Sequence, residues 1–264
     1  PKDHTVVAVW DITTVTLNPT GGSVSPAQVN ATYGQNYPEL PEPNKTGHTF
    51  LGWFESNETG GNKVTNTTNM TRVFDHTLYA QWSINNYTIT FNLGNGTNTT
   101  TEFKYNESIT YPTDVTREGY TFNGWEPKLE RMPAHEVTVV AQWTANMYTV
   151  TLDVNGGDAL SEAERMREVT FDSLYGELPT PTRTGHSFTG WFDNETNTVI
   201  TEGTVVSITD NQTLYAQWTI NSYNVTFVSD GVVMKEDTLG YGAEIVFPSE
   251  SVKEGHSFSG WVAY

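Results

Sequence analysis

Two short motifs recur along this chain, and their recurrence constrains the fold more than any other feature of the sequence. The first has the pattern Gly-x-x-Phe-x-Gly-Trp and begins at Gly47, Gly119, Gly185 and Gly255. The second follows the pattern Thr-Leu-Tyr-Ala-Gln-Trp and occupies residues 77–82, 138–143, 213–218 and, in a looser form, 5–10. Self-similarity of this kind predicts an array of repeats instead of a single domain.

The two motifs contain every tryptophan of the chain, and these side chains are predicted to form the core of each repeat. Alternate residues of a strand share a face, so Leu214, Ala216 and Trp218 should point together. A buried aromatic ring removes about 150–250 Å² from water, so a few rings can hold a small domain together. The predicted core positions are Trp10, Trp53, Trp82, Trp125, Trp143, Trp191, Trp218 and Trp261.

Together, the motifs resemble the Listeria–Bacteroides repeat, also called the internalin B-type repeat. The stretches at residues 148–157 and 175–185 match the same pattern. The resemblance implies a mainly β fold built from small β-grasp-like, ubiquitin-like modules. It also implies tandem arrays in secreted or surface-anchored proteins, with no catalytic residues. It names no ligand.

The repeat pattern predicts a series of modules joined by short connectors. The predicted divisions are residues 1–12 as an orphan final strand of a preceding or neighbouring module, 13–82 as repeat 1, 83–143 as the shorter repeat 2, 144–218 as repeat 3 with an insertion near 160–168, and 219–264 as the first half of repeat 4. Each connector places four residues between a Trp and a Tyr, without glycine or proline. A semi-rigid rod is therefore expected.

Composition excludes several classes of function. The chain has 31 acidic and 13 basic residues, giving a net charge of −18, so nucleic acid is an unfavourable partner. It lacks cysteine and any apolar run long enough for a membrane span, so direct membrane insertion is not expected. We expect an extracellular location, on the cell surface or in a surface appendage. The chain begins inside a repeat and lacks a signal peptide, which suggests a processed form or an excerpt.

N-glycosylation sequons are abundant, at 12 compared with roughly five expected by chance. One interpretation is an N-glycosylated extracellular protein, and the other is that Thr- and Asn-rich turns create sequons by accident. The polar loop after Phe54 holds the three sites we consider safest, Asn57, Asn66 and Asn69. The candidate sites are Asn30, Asn44, Asn57, Asn66, Asn69, Asn86, Asn95, Asn98, Asn106, Asn194, Asn211 and Asn224.

No catalytic, cofactor or metal site is predicted. The histidines after the motif glycine alternate with Tyr120, which is typical of a packed ring and not of a metal ligand. Residues 153–158 resemble a calcium loop only superficially, and we interpret them as a hairpin turn. A basic residue precedes each motif glycine by two positions; it either covers an aromatic ring with its stem or makes an ion pair or a contact with the previous module. These residues are Lys45, Arg117, Arg183 and Lys253.

Three functions are considered ahead of an enzyme. The first is a stalk, spacer or adhesive segment of a large cell-surface protein. The second is a subunit of an extracellular filament or sheath, in which residues 5–10 of one copy complete the fourth module of the next; the competing interpretation of the ends is one window of a longer covalent array. The third is a carbohydrate-binding module that uses Tyr79 or Tyr215 as a platform. Expected partners are adjacent repeats, further copies of the chain, or glycans and proteins of a host or neighbouring cell.

Overall fold

A computed structural model describes residues 4–7, 12–249 and 251–263 of the chain. These residues divide into two compact units. The first unit comprises the described residues up to Val115 together with Phe122–Gln142. The second unit comprises Thr116–Thr121 together with the described residues from Trp143 onward. Trp10 lies outside the described residues.

The first unit contains a mixed five-stranded sheet built from residues of repeat 1. Its strands are β1 (Ile12–Asn18), β2 (Gln28–Thr32), β3 (His48–Phe54), β4 (Lys63–Val64) and β5 (His76–Ile84), in the order β2-β1-β5-β3-β4. The central strands β1 and β5 are parallel, whereas β2, β3 and β4 pair antiparallel with their neighbours. Alternate residues of the central strands are buried, as the period of a half-buried strand requires.

A four-stranded sheet, most of which lies in the first unit, corresponds to repeat 2. Its strands are β6 (Asn86–Asn92), β7 (Asn98–Lys104), β8 (Tyr120–Glu126) and β9 (Val137–Ala145), in the order β7-β6-β9-β8. No strand among the described residues of this sheet corresponds to β4. Met132, from the segment between β8 and β9, is buried in the core, as Met70 is in repeat 1.

The second unit contains a five-stranded sheet with the same plan as the first. It consists of β10 (Met147–Asp153), β11 (Met166–Thr170), β12 (His186–Asp193), β13 (Thr198–Ile200) and β14 (Gln212–Ile220), in the order β11-β10-β14-β12-β13. A one-turn helix, α1 (Glu162–Arg165), precedes β11. The carboxylate of Glu164 accepts hydrogen bonds from the backbone N–H and the hydroxyl of Ser161, which lowers the pKa of Glu164.

Repeat 4 forms only a hairpin among the described residues. Strands β15 (Ser222–Ser229) and β16 (Val232–Gly240) pair antiparallel, and residues 241–249 and 251–263 form no strand. Phe227 is buried between the rings of Phe247 and Trp261, whose centroids lie 5.8 and 5.4 Å from its own.

The Phe-x-Gly-Trp spacing is explained by a β-bulge. Two residues three apart on a regular strand face opposite sides of the sheet, but the register of β12 against β14 shifts between Phe188 and Gly190. The extra residue brings the rings of Phe188 and Trp191 onto one face, with their centroids 5.6 Å apart. Gly190 has a φ of +146°, a conformation that favours glycine.

The prediction of a mainly β chain of small tandem modules is confirmed by these separate sheets. The β-grasp assignment within that fold stays a prediction. The first tryptophan of each complete repeat is buried: Trp53, Trp125 and Trp191. The remaining described tryptophans are half-buried: Trp82, Trp143, Trp218 and Trp261.

Candidate functional site: the joints between repeats

An asparagine lies at the centre of each connector, three residues after the last tryptophan of a repeat. Between repeats 1 and 2, the backbone N–H of Asn85 donates to the carbonyl oxygen of Gly47 at 3.0 Å. The carbonyl oxygen of Asn85 accepts the N–H of Tyr105 at 2.8 Å, and its side-chain oxygen accepts the hydroxyl of Thr49 at 2.6 Å. Asn85 thus ties the motif of repeat 1 to the first hairpin of repeat 2; we call this arrangement the asparagine bridge.

The same joint contains an aromatic ring packed on a glycine. Gly47 is buried with a φ of +71°, and a Cβ atom at this position would overlap the ring of Tyr105. The imidazole of His48 lies edge-on to that ring, with centroids 5.9 Å apart. Only glycine combines this backbone conformation with such a close approach. We call it the ring-on-glycine contact.

The joint between repeats 3 and 4 is built in the same way within the second unit. Asn221 donates its N–H to the carbonyl oxygen of Gly185 at 2.9 Å and accepts the N–H of Tyr241 at 2.8 Å. Its side-chain oxygen accepts the hydroxyl of Ser187 at 2.6 Å. The ring of Tyr241 packs on Gly185, and its centroid lies 6.3 Å from the centroid of the His186 ring.

A third asparagine bridge lies inside the second unit, between residues 119–121 and the start of repeat 3. Asn146 donates to the carbonyl oxygen of Gly119 at 2.9 Å and accepts the N–H of Phe171 at 2.9 Å. The ring of Phe171 packs on Gly119 and lies edge-on to Tyr120 at 5.6 Å. Tyr120 also donates its hydroxyl to Asp172 at 2.6 Å, and this hydrogen bond raises the pKa of Tyr120.

The sequence-based interpretation of the connectors missed the role of the asparagines. It rested on the shared length and on the lack of glycine and proline. The available signal was the recurrence of asparagine at one position, Asn85, Asn146 and Asn221, in connectors whose other residues vary. Its backbone partners could not be read from the sequence because they lie in turns 20–38 residues away in the chain.

The first hairpin turn of repeat 3 is covered by a motif tryptophan and by the basic residue that precedes the motif glycine. Asn155 and Gly156 have φ values of +48° and +82°, as a type I′ turn requires. The indole N–H of Trp218 donates to the carbonyl oxygen of Val154 at 3.0 Å, so the ring covers this turn. The guanidinium of Arg183 donates to the carbonyl oxygen of Asn155 at 3.3 Å.

The other basic residues of this set also contact groups close to them in the fold. Lys45 donates to the carbonyl oxygen of Thr20 at 3.1 Å and lies 5.8 Å from the ring of Trp82. Arg117 lies 3.7 Å from the ring centroid of Tyr120. Lys253 pairs with Asp230 in repeat 4 at 2.8 Å.

A surface depression of about 710 Å³ lies on repeat 3 and is lined mainly by hydroxyl, amide and carboxylate groups. Asp193, one of its lining residues, is buried. Burial opposes ionisation of this carboxyl, but hydrogen bonds from the Thr196 hydroxyl, the Glu195 N–H and Gln212 outweigh it and lower its pKa. Tyr215, one of the two proposed sugar platforms, lines this depression and, like Tyr79 in repeat 1, is half-buried.

The asparagines of all 12 sequons are exposed, so each is sterically open to modification. Within the described residues, no group of three or more His, Asp or Glu side chains is arranged to hold a metal ion. The part of the chain that the structure describes also has no helix with the length and hydropathy of a membrane span.

Comparison with known proteins identifies relatives of this chain. The chain is 32% identical to the "Putative Gly-rich membrane protein" of Evansella cellulosilytica over 97% of its length, but it covers 30% of that relative. It is 33% identical to Internalin H of Listeria monocytogenes over 78% of its length, covering 37% of that protein. The chain thus spans about a third of the length of these relatives. The model of the Listeria-Bacteroides repeat domain matches residues 14–81, 87–142, 148–217 and 223–263, and the chain therefore belongs to this family.

Proposed function

We propose that the chain is a non-enzymatic segment of an extracellular, cell-surface protein, in which serial repeats act as a stalk or spacer. The observation that carries this proposal is the recurrent joint. A spacer must transmit position from one module to the next, and that requires connectors with restricted freedom.

The joint restricts freedom by two physical means. The asparagine bridge satisfies the backbone groups of the connector by hydrogen bonds to both neighbouring repeats, as at Asn85 and Asn221. The ring-on-glycine contact adds packing that the two repeats can make only in one orientation. Repeats 1 and 2, and likewise repeats 3 and 4, should each move as one body.

The relatives support a surface location. One of them carries "membrane protein" in its name, and the other is an internalin. The strongly acidic composition and the many exposed polar side chains suit an extracellular spacer that must remain soluble next to other chains.

Labelling of intact cells tests this proposal. Antibodies raised against the chain should label cells that produce the natural protein without permeabilisation. Labelling that requires permeabilised cells would contradict the surface location. A glycan array probed with the chain should show no saturable binding, and a specific sugar ligand would favour the carbohydrate-binding alternative instead.

A further inference from the structure

One position of the repeat carries a carboxylate in both repeats 1 and 3, but only repeat 1 places a positive charge beside it. Glu55 and Asp193 each lie two residues after the first tryptophan of their repeat. In repeat 1, the guanidinium of Arg72 lies 3.3 Å from the carboxylate of Glu55. Arg72 precedes the Thr-Leu-Tyr-Ala-Gln-Trp motif by five positions, and the residue at that position in repeat 3 is Ile208.

The surroundings of the two carboxylates show the same difference. A buried tyrosine lies near each of them, Tyr37 in repeat 1 and Tyr175 in repeat 3. Burial and the nearby carboxylate raise the pKa of both tyrosines, but only at Tyr37 does a cation, Arg72, oppose the rise. Burial opposes ionisation of Asp193, yet hydrogen bonds lower its pKa, so this side chain is charged although it is only 5% exposed. Buried charges in proteins are ordinarily paired with an opposite charge.

The depression on repeat 3 gives a cation from outside the chain access to this carboxylate. Its volume of about 710 Å³ lies within the range of roughly 300–1,000 Å³ that is typical of ligand sites. Glu195 and Asp210 line it together with Asp193, and none of its described lining residues is a Lys, Arg or His. Three carboxylates without a basic residue create a negative potential that favours a positively charged ligand.

We propose that this depression binds an arginine side chain of a partner protein, with its guanidinium beside Asp193 as that of Arg72 is beside Glu55. A guanidinium is always charged and more weakly hydrated than an ammonium group, so it enters a partly enclosed site at a lower cost. Its N–H groups donate charge-assisted hydrogen bonds to carboxylates. The half-buried Tyr215 also lines the depression, and aromatic rings of this kind stack with guanidinium groups.

This docking site goes beyond the spacer role and rests on repeat 3 alone. The spacer role rests on the joints between repeats, so either can fail while the other holds. Repeats with one fold would then differ in what they bind, because repeat 1 pairs its carboxylate internally and repeat 3 leaves it to a partner.

Nuclear magnetic resonance of the whole chain with two small probes tests the proposal. Acetyl-arginine amide carries the guanidinium, and acetyl-citrulline amide has nearly the same shape without the charge. The backbone N–H of Glu195 donates to the Asp193 carboxylate at 2.9 Å, so its signal reports on the site. Acetyl-arginine amide should shift this signal saturably, and acetyl-citrulline amide should bind about 10- to 100-fold more weakly because it lacks the charge-assisted hydrogen bond. Equal binding of the two probes, or no shift at about 50 mM acetyl-arginine amide, would overturn the proposal.

Variants of repeat 3 make the test specific. Ile208→Arg supplies an internal guanidinium, as in repeat 1, and should abolish binding of acetyl-arginine amide, whereas Ile208→Met adds an uncharged chain and should preserve it. Asp193→Asn should also abolish binding. Glu168→Gln is the matched control, because it removes the same charge from strand β11, outside the depression. If Asp193→Asn disturbs the fold, the two Ile208 variants still decide the outcome. Binding that survives Ile208→Arg, or that Glu168→Gln weakens as much as Asp193→Asn does, would rule out this site.

Discussion

Replacing Gly47 by alanine isolates the ring-on-glycine contact from the rest of the joint. The substitution has two costs. A residue with a Cβ at a φ of +71° loses about 1–2 kcal/mol relative to glycine. The new methyl group would also overlap the ring of Tyr105, and forcing an extra carbon into a packed site costs about 1–3 kcal/mol. The expected total is about 2–5 kcal/mol.

Gly255 provides the matched control for the first cost. It occupies the same position of the motif in repeat 4 with a φ of +74°, but no atom of the described residues lies within 4 Å of the site of a Cβ. Gly255→Ala should therefore cost only about 1–2 kcal/mol. The difference between the two substitutions measures the contact with the ring.

Native-state hydrogen exchange is the suitable assay because it reports opening at individual joints. The amide of Asn85, which donates to Gly47, should exchange faster in Gly47→Ala. The overlap cost of about 1–3 kcal/mol corresponds to a roughly 5- to 150-fold increase in the exchange rate of this amide, in addition to the increase caused by the backbone cost. In a Tyr105→Ala background that excess should vanish. If Gly47→Ala costs the same with and without the Tyr105 ring, the packing explanation is wrong.

Three further results are expected. Trp191→Ala should lower the free energy of unfolding of repeat 3 by about 3–5 kcal/mol, measured by urea denaturation, because the ring is buried in its core. The pKa of Asp193 is lowered in the folded state, so its contribution to stability is present above pH ~4 and is lost as the pH falls further. In Asp193→Asn, the unfolding midpoint of repeat 3 should therefore fall less steeply as the pH is lowered below that value. Glycosidase treatment should reduce the intact mass of the natural protein, with Asn57, Asn66 and Asn69 among the occupied sites; an intact mass that the treatment leaves unchanged would contradict glycosylation.

The repeat pattern predicted the mainly β architecture because the strand patterns of the complete repeats are visible locally in the sequence. The alternation in Tyr87–Phe91 and the motif Thr213–Trp218 is visible locally, and both stretches form strands in the sheets. The bulge at Gly190 was not predicted, because it depends on the register between strands. The predicted insertion near residues 160–168 contains the one-turn helix α1, and its second part begins strand β11 at Met166, which pairs with Thr151.

The joints could be predicted only in part. The connectors indicate short, restricted links by their length and composition. The hydrogen bonds of Asn221 to Gly185, Ser187 and Tyr241 depend on how two repeats meet, and no local pattern encodes that meeting. The recurrence of asparagine at one position of every connector was the one sequence feature that could have indicated these joints.

The distance between labels on neighbouring repeats tests the central claim, that the joint holds two repeats in one orientation. The chain has no cysteine, so Asn30→Cys on β2 and Thr101→Cys on β7 provide two unique, exposed positions for spin labels. Pulsed electron paramagnetic resonance should give a single narrow distance distribution, which broadens on Gly47→Ala and not on Gly255→Ala. A broad distribution in the unmodified joint would contradict the claim.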